Sequence, residues 1–231
     1  MQKLVKVLKY LPVAIAFCLV ACAPQSPEVQ DSTDESLASL SAYPSTVYAA
    51  QNRPDVRGLT GAVSADHPLA AQAGLRILQE GGNATDAVIA MAGVLAVVRP
   101  HMNGIGGDAF GIFYDGQSGE ITALNASGRA GSVATPEFFT AAGVDRIPGS
   151  GALSVSVPGA VAGWVDAHER YGSIDFAYLL KFAIEYAREG FAVSTRLAED
   201  FAEQGGVLNE DGRTLYLPNG AVPPVGSLLV N

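Results

Sequence analysis

The stretch "RPHMNGIGGDAFGIFYDGQSGEITALNASGRA", Arg99 to Ala130, decides how this chain is read. Four glycines, Gly104, Gly106, Gly107 and Gly111, crowd its first half, with His101, Asn103 and Asp108 among them. Gly104, Gly106 and Ala109 match the form G-x-G-x-x-[G/A] of dinucleotide-binding turns. That pattern needs a strand before it and a helix after it. Here the order is reversed. From Ala87 to Val98 every residue is apolar, which describes a buried helix, and Arg99-Pro100 ends it. "AFGIFYD" and "EITALNA" then read as two strands around the turn "GQSG". The loop also lacks the Gly-Lys-Ser/Thr of a phosphate loop. A nucleotide cradle is therefore excluded, and the glycines read as places where backbone passes close to other backbone or to a ligand.

Upstream, "PLAAQAGLRILQEGG" places Ala70, Gly74, Ile77 and Leu78 on one helix face, with Gly81-Gly82 as the stop. Asn83 is positioned to cap the apolar helix, with Asp86 in its first turn. That helix, polar on no side, expects cover all round. Downstream, "ALSVSVPG" alternates like a third strand, and "AVAGWVDAHERYG" and "DFAYLLKFAIEYAREG" read as two helices stopped by Gly172 and Gly190. Ser194 caps one more, with Leu197 and Phe201 a turn apart. "TLYLPNGAVPPVGSLLVN" is rich in Pro and Gly and shows no closing element. Helices, a hairpin, a strand and more helices make an α+β layered domain.

Composition bounds the partners. The 231 residues are 48% hydrophobic, carry only 16% charged residues and have a formal net charge of −9. Lys181 is the only lysine after Lys3, Lys6 and Lys9, so no basic patch exists for nucleic acid or for anionic lipid. His67, His101 and His168 show no ligand spacing and no cysteine partners, so no metal site is expected.

The N-terminus reads as an address. The three early lysines precede the apolar run "LPVAIAFCLVA", Leu11 to Ala21, too short to span a bilayer. "LVAC" at Leu19 to Cys22 resembles a bacterial lipobox, in which the cysteine becomes the lipidated first residue. Residues 1–21 are thus expected to be a lipoprotein signal peptide. Residues 22–57 are expected to be an acidic, Ser/Pro-rich tether, and residues 58–231 a globular domain held at the bacterial cell envelope, facing the periplasm or exterior. Only Cys18 and Cys22 are present in this sequence, so removal of the expected signal would leave one cysteine and no intrachain disulfide within it.

Several motifs in order resemble the N-terminal part of the large subunit of the gamma-glutamyltranspeptidase family. They are "EGGNATDAVIAMAGVLAVVRPHMNGIGGDAF", then "SVPGAVAGWVDAHERYG", "AIEYAREGFAVS" and "LPNGAVPPVGSLLV". The resemblance runs from about Gly58 to Val230. It implies an αββα sandwich of the N-terminal-nucleophile hydrolase type, incomplete in this chain. It also implies a precursor that cuts itself into two subunits. A threonine at the start of the second, small subunit would then attack a small amide such as a γ-glutamyl compound. No metal or other cofactor is implied. Thr195 and Thr214 are not in the family's nucleophile context, and Cys22 is expected to be acylated rather than catalytic, so no catalytic residue is assigned here.

One departure bears on substrate. In the transpeptidases the second hairpin strand ends in "DFRE-x-AP", whose arginine holds the glutamate α-carboxylate. Here the matching stretch is "NASGRAG". Ser127 stands at the arginine's place and Arg129 two residues on, about 6–7 Å along a strand. Arg129, Ser127 and Asn103 are the candidate substrate-binding residues. For Arg129 a salt bridge or loop hydrogen bond is the competing role, and for Asn103 closure of its own turn. The "N-x-SGRA" form looks closer to relatives that hydrolyse other amides, such as oxamate. A non-catalytic, truncated chain that binds a small ligand or a partner is the alternative expectation.

Overall fold

The first helix among the described residues begins where His67, in extended backbone, turns its side chain to accept the Leu69 N–H through Nδ1 at 3.2 Å. Pro68, which needs no hydrogen bond there, opens α1, Pro68–Gln79. In the computed structural model residues 57–230 are described; the expected signal segment, Cys22 and the tether before Arg57 lie outside the described residues. Ala70, Ala73, Gly74 and Ile77 form the buried face of α1 and Leu78 flanks it, close to the expected stripe. The Gly82 N–H closes the helix end on the Ile77 carbonyl at 2.9 Å.

Asn83 and Asp86 form a reciprocal capping box at the start of α2, Ala84–Val98. Asp86 does more than cap. It is fully buried, and its carboxylate also accepts from the Ser173 hydroxyl and from the Ser173 and Ile174 N–H groups. Burial pushes its pKa up, but the hydrogen bonds from the Ser173 hydroxyl and the Asn83, Ser173 and Ile174 amides hold it below the usual carboxylate range. Asn83 Nδ2 donates to the Tyr171 carbonyl at 2.6 Å, so both capping residues tie α2 to the turn after α4, Ala160–Tyr171.

Helix α2 is shared by two apolar clusters. Val94 and Val98 join Ala70, Val193, Leu197, Phe201 and Leu229 in one. Ala87, Ile89 and Ala90 join Ile77, Trp164 and Leu179 in the other. Each fully buried aliphatic side chain contributes about 1.5–3 kcal/mol. Cover is not complete, contrary to expectation. Val88 is 53% exposed, because the side of α2 toward the hairpin is only partly filled by the described residues.

Strands β1, Ala109–Tyr114, and β2, Ile121–Ala126, pair antiparallel with Phe113 opposite Thr122. Asp115 Oδ1 accepts the Gln117 and Ser118 N–H groups and so shapes the turn. One hairpin face, with Phe113 and Leu124, packs on α4, and Phe113 stacks on Tyr171 at 5.0 Å. The other face, with Phe110, Ile112, Tyr114 and Ile121, is open, Ile112 being 80% exposed.

Three expectations are corrected. The alternating "ALSVSVPG" is not a strand: Ala152–Ser154 is a 3-10 turn, and Leu153, Val155 and Val157 all lie exposed. Among the described residues no strand lies beside it to complete a ladder, and Pro158 removes a donor. The single helix expected over "DFAYLLKFAIEYARE" is two, α5, Phe176–Leu179, and α6, Lys181–Glu189, broken at Leu180. The break lets Leu179 enter one cluster and Ala183 the other. The Pro/Gly-rich end does close. After α7, Thr195–Gln204, and α8, Glu210–Tyr216, strand β4, Leu228–Leu229, pairs with β3, Phe191–Ala192. Short helix α3, Pro136–Ala141, capped by Thr135, lies in the segment left unassigned. Among the described residues no helix is long and apolar enough to cross a membrane.

Candidate functional site

Three segments meet where the glycine loop ends. The Gly107 carbonyl accepts the N–H groups of Gly159 and Ala160, at 3.1 and 3.0 Å, at the start of α4. Ser156 Oγ donates to Asp108 Oδ1 at 3.0 Å. The Val157 N–H donates to the Arg129 carbonyl at 2.9 Å, which joins the end of β2 to the same place. The approach is close enough to exclude side chains. Gly128 has φ +72°, and a Cβ there would run into the Val157 carbonyl, while a Cβ at Gly159 would run into the Ala126 carbonyl. The close-approach glycines are therefore these, not Gly104, Gly106 or Gly107, where a Cβ would meet nothing nearer than 3.7 Å.

The structure places the candidate substrate residues around this junction. Asn103 does not close its own turn: its Nδ2 donates to the Ala92 carbonyl at 3.0 Å and ties the loop to α2. Ser127 is half-buried, its N–H donating to Asn125 Oδ1 at 3.1 Å and its hydroxyl lying 3.4 Å from the Gly128 carbonyl. Arg129 is exposed. Its backbone is held by Val157, whereas its guanidinium makes no ion pair or hydrogen bond among the described residues. A cleft of about 240 Å³ opens beside the junction between α2, α4 and the hairpin, lined by Val88, Ala92, Asn103, Asp108, Leu124 and Trp164.

The histidines are occupied structurally. His67 caps α1; burial, and then the nearby Arg99 charge, lower its pKa against the opposing pull of Asp66. His168 lies with Nε2 2.6 Å from the Ile174 carbonyl, to which it donates. His101 Nε2 donates to Asp200 Oδ2 at 2.9 Å. Thr195 opens α7, and Thr214 Oγ1 donates to the Glu210 carbonyl inside α8. Among the described residues no group of three or more His, Cys, Asp or Glu is arranged to hold a metal ion.

Asp200 was not legible as a site residue. Its side chain is 3% exposed and meets Arg99 at 2.7 Å, His101, and both Nε and a terminal nitrogen of Arg196. Burial pushes its pKa up, and Arg196, His101 and Arg99 more than offset this and hold it low. The only sequence signal was Arg196–Asp200 at i,i+4 spacing. Arg99 and His101 come from the far side of the chain.

Helices on one face of a hairpin whose other face is apolar and open make up part of an αββα layering, the class of the N-terminal-nucleophile hydrolases. The comparisons agree. The family model for Gamma-glutamyltranspeptidase matches residues 70–231. The chain is 34% identical over 178 residues to the glutathione hydrolase proenzyme of Bacillus subtilis (strain 168), covering 75% of this chain and 30% of that protein. It is 42% identical over 150 residues to the oxamate amidohydrolase proenzyme of Klebsiella pneumoniae, covering 62% of this chain and 28% of that one. The crystal structure of Helicobacter pylori gamma-glutamyltranspeptidase superposes with a TM-score of 0.72 at 32% identity, over 77% of this chain and 52% of that chain. The chain belongs to the gamma-glutamyltranspeptidase family, and it spans 30% or less of the length of these two curated relatives.

Proposed function

We propose that this chain is part of the large subunit of a two-subunit amide hydrolase or acyltransferase, and that it grips a carboxylate on a small amide substrate. The substrate class is a γ-glutamyl compound such as glutathione, or a related small amide acid. The relatives named for glutathione hydrolysis and for oxamate hydrolysis support this range. The observation that carries the reading is Arg129: an exposed guanidinium without a protein partner among the described residues, three residues past the end of β2 on a segment clamped by Val157, Gly128 and Gly159. A planar fork suits a carboxylate in a bidentate pair.

In this reading the second subunit supplies a threonine whose hydroxyl attacks the amide carbonyl while its own amino group takes the proton. This chain orients the substrate. Arg129 fixes the carboxylate end, and Asn103 and Ser127 lie on the flanking segments. The test is an assembled enzyme, this chain together with its threonine-bearing second subunit. It should hydrolyse a γ-glutamyl anilide or oxamate and should hydrolyse the matching amide lacking the carboxylate far more slowly. Equal rates on both would sink the reading.

We also propose that Cys22 carries lipid and anchors the protein to the bacterial envelope. The basic start, the apolar run and "LVAC" support this. Metabolic labelling with a fatty-acid analogue should tag the protein, and Cys22→Ala should abolish the tag and release the protein from membranes. Labelling that survives Cys22→Ala would refute it.

A further inference from the structure

His101 sits where an apolar residue would be cheaper. Its Nδ1 is buried and has no hydrogen-bond partner among the described residues, which is destabilising. A phenylalanine would fill the same space beside Phe201, whose ring centroid lies 6.1 Å from the imidazole, without that loss. What the imidazole adds is one bond, from Nε2–H to Asp200 Oδ2 at 2.9 Å. A carboxylate only accepts, so the proton lies on Nε2.

Asp200 is a fixed post. Arg196 holds both of its oxygens, and Arg99 meets it at 2.7 Å while also lying 2.7 Å from Asp66. Arg99 and His101 flank Pro100, so the chain leaving α2 is pinned twice within three residues. Asn103 pins it a third time, to the Ala92 carbonyl. Three residues, with the Gly107 N–H donating to the Gly104 carbonyl, then lead to Gly107, whose carbonyl holds the start of α4, and Gly159 there lies against Ala126 and Gly128. From Asp200 to Arg129 the connection is a chain of hydrogen bonds, through His101, the backbone of the exposed loop, the Gly107 carbonyl and the Val157–Arg129 bond.

We propose that His101 is a positioning residue for Arg129: by bonding to buried Asp200 it fixes the glycine loop and, through the Gly107 carbonyl, the strand end that offers its guanidinium to the substrate carboxylate. This rests on the carboxylate-binding role given to Arg129 above.

The test is a double-mutant cycle on the assembled two-subunit enzyme with a carboxylate-bearing amide. His101→Phe should raise KM about threefold to tenfold, the range of one lost hydrogen bond, with kcat nearly unchanged. His101→Gln, whose amide donor reaches about where Nε2 lies, should restore KM. In an Arg129→Ala background His101→Phe should add nothing to KM. Multiplying effects, or a fall in kcat alone in both backgrounds, would overturn the proposal. No KM effect of Arg129→Ala by itself would instead overturn the carboxylate reading.

Amide exchange on the assembled two-subunit enzyme decides the structural half independently of activity. His101→Phe should speed exchange at Gly159 and Ala160, which bond to Gly107. It should spare Val193, which bonds to the Ser227 carbonyl. Equal acceleration at all three sites, or none at Gly159 and Ala160, would also overturn it.

Discussion

The Arg129 carbonyl and the Val157 N–H are joined at 2.9 Å, and this bond sets the end of β2 against the segment that opens α4. It is possible only because Gly128 and Gly159 carry no side chain where the two backbones meet. The position of the guanidinium therefore depends on glycines that touch no substrate.

Gly159→Ala should destabilise the domain by about 1–3 kcal/mol, the usual cost of overpacking. Its φ of −114° suits any residue, so the effect is purely steric. Gly128→Ala should cost more, since it adds strain at φ +72°. Gly116→Ala, where an added Cβ meets nothing within 4 Å, is the control and should change the melting temperature little. Similar melting temperatures for Gly159→Ala and the control would refute the close packing.

Acid stability should depend on Ser173. The folded pKa of Asp86 is depressed, so its contribution is present above the unfolded value of about 3.9 and is lost as pH falls through the lower folded value. Ser173→Ala removes the hydroxyl donor, and the folded pKa rises toward normal. Acid unfolding, followed by circular dichroism, should then begin at higher pH, and stability near neutral pH should fall by about 1–3 kcal/mol. An unchanged acid midpoint would show that the backbone donors alone hold Asp86 ionised.

The isolated chain should show no amidase turnover and poor amide protection in β1 and β2. Their outer face exposes Phe110, Ile112, Tyr114 and Ile121, and neither outer edge is paired among the described residues. Hydrogen exchange checks the second point: protection in the hairpin equal to that of α2 would contradict it. Turnover of γ-glutamyl anilide that survives repurification would contradict the first.

Much of the fold was legible locally. The Asn83–Asp86 capping box, the Ser194 cap, the twelve apolar residues from Ala87 to Val98 and the hairpin around "GQSG" each carry their own signal within a few residues. The misses are non-local. "ALSVSVPG" alternates, but a strand exists only beside a partner, and none lies there among the described residues. The pair of β3 with β4 is too short to leave a pattern, and Asp200 meets Arg99 across 101 positions of sequence. For the site, Arg129 and Ser127 came from the mismatch between "NASGRAG" and the transpeptidase motif. The anchoring bonds of Asn103 and His101 could not be read from spacing at all.

The central claim is that Arg129 binds the substrate carboxylate, and kcat/KM of Arg129→Ala in the assembled enzyme tests it most directly. A charge-assisted hydrogen bond is worth about 1.5–3 kcal/mol, so kcat/KM for a carboxylate-bearing amide should fall roughly 10- to 150-fold. Arg129→Lys should recover little, because lysine lacks the planar fork, and precursor self-cleavage should continue. An unchanged kcat/KM with normal processing, or a failure of processing itself, would contradict the account and leave Arg129 as a residue of the fold.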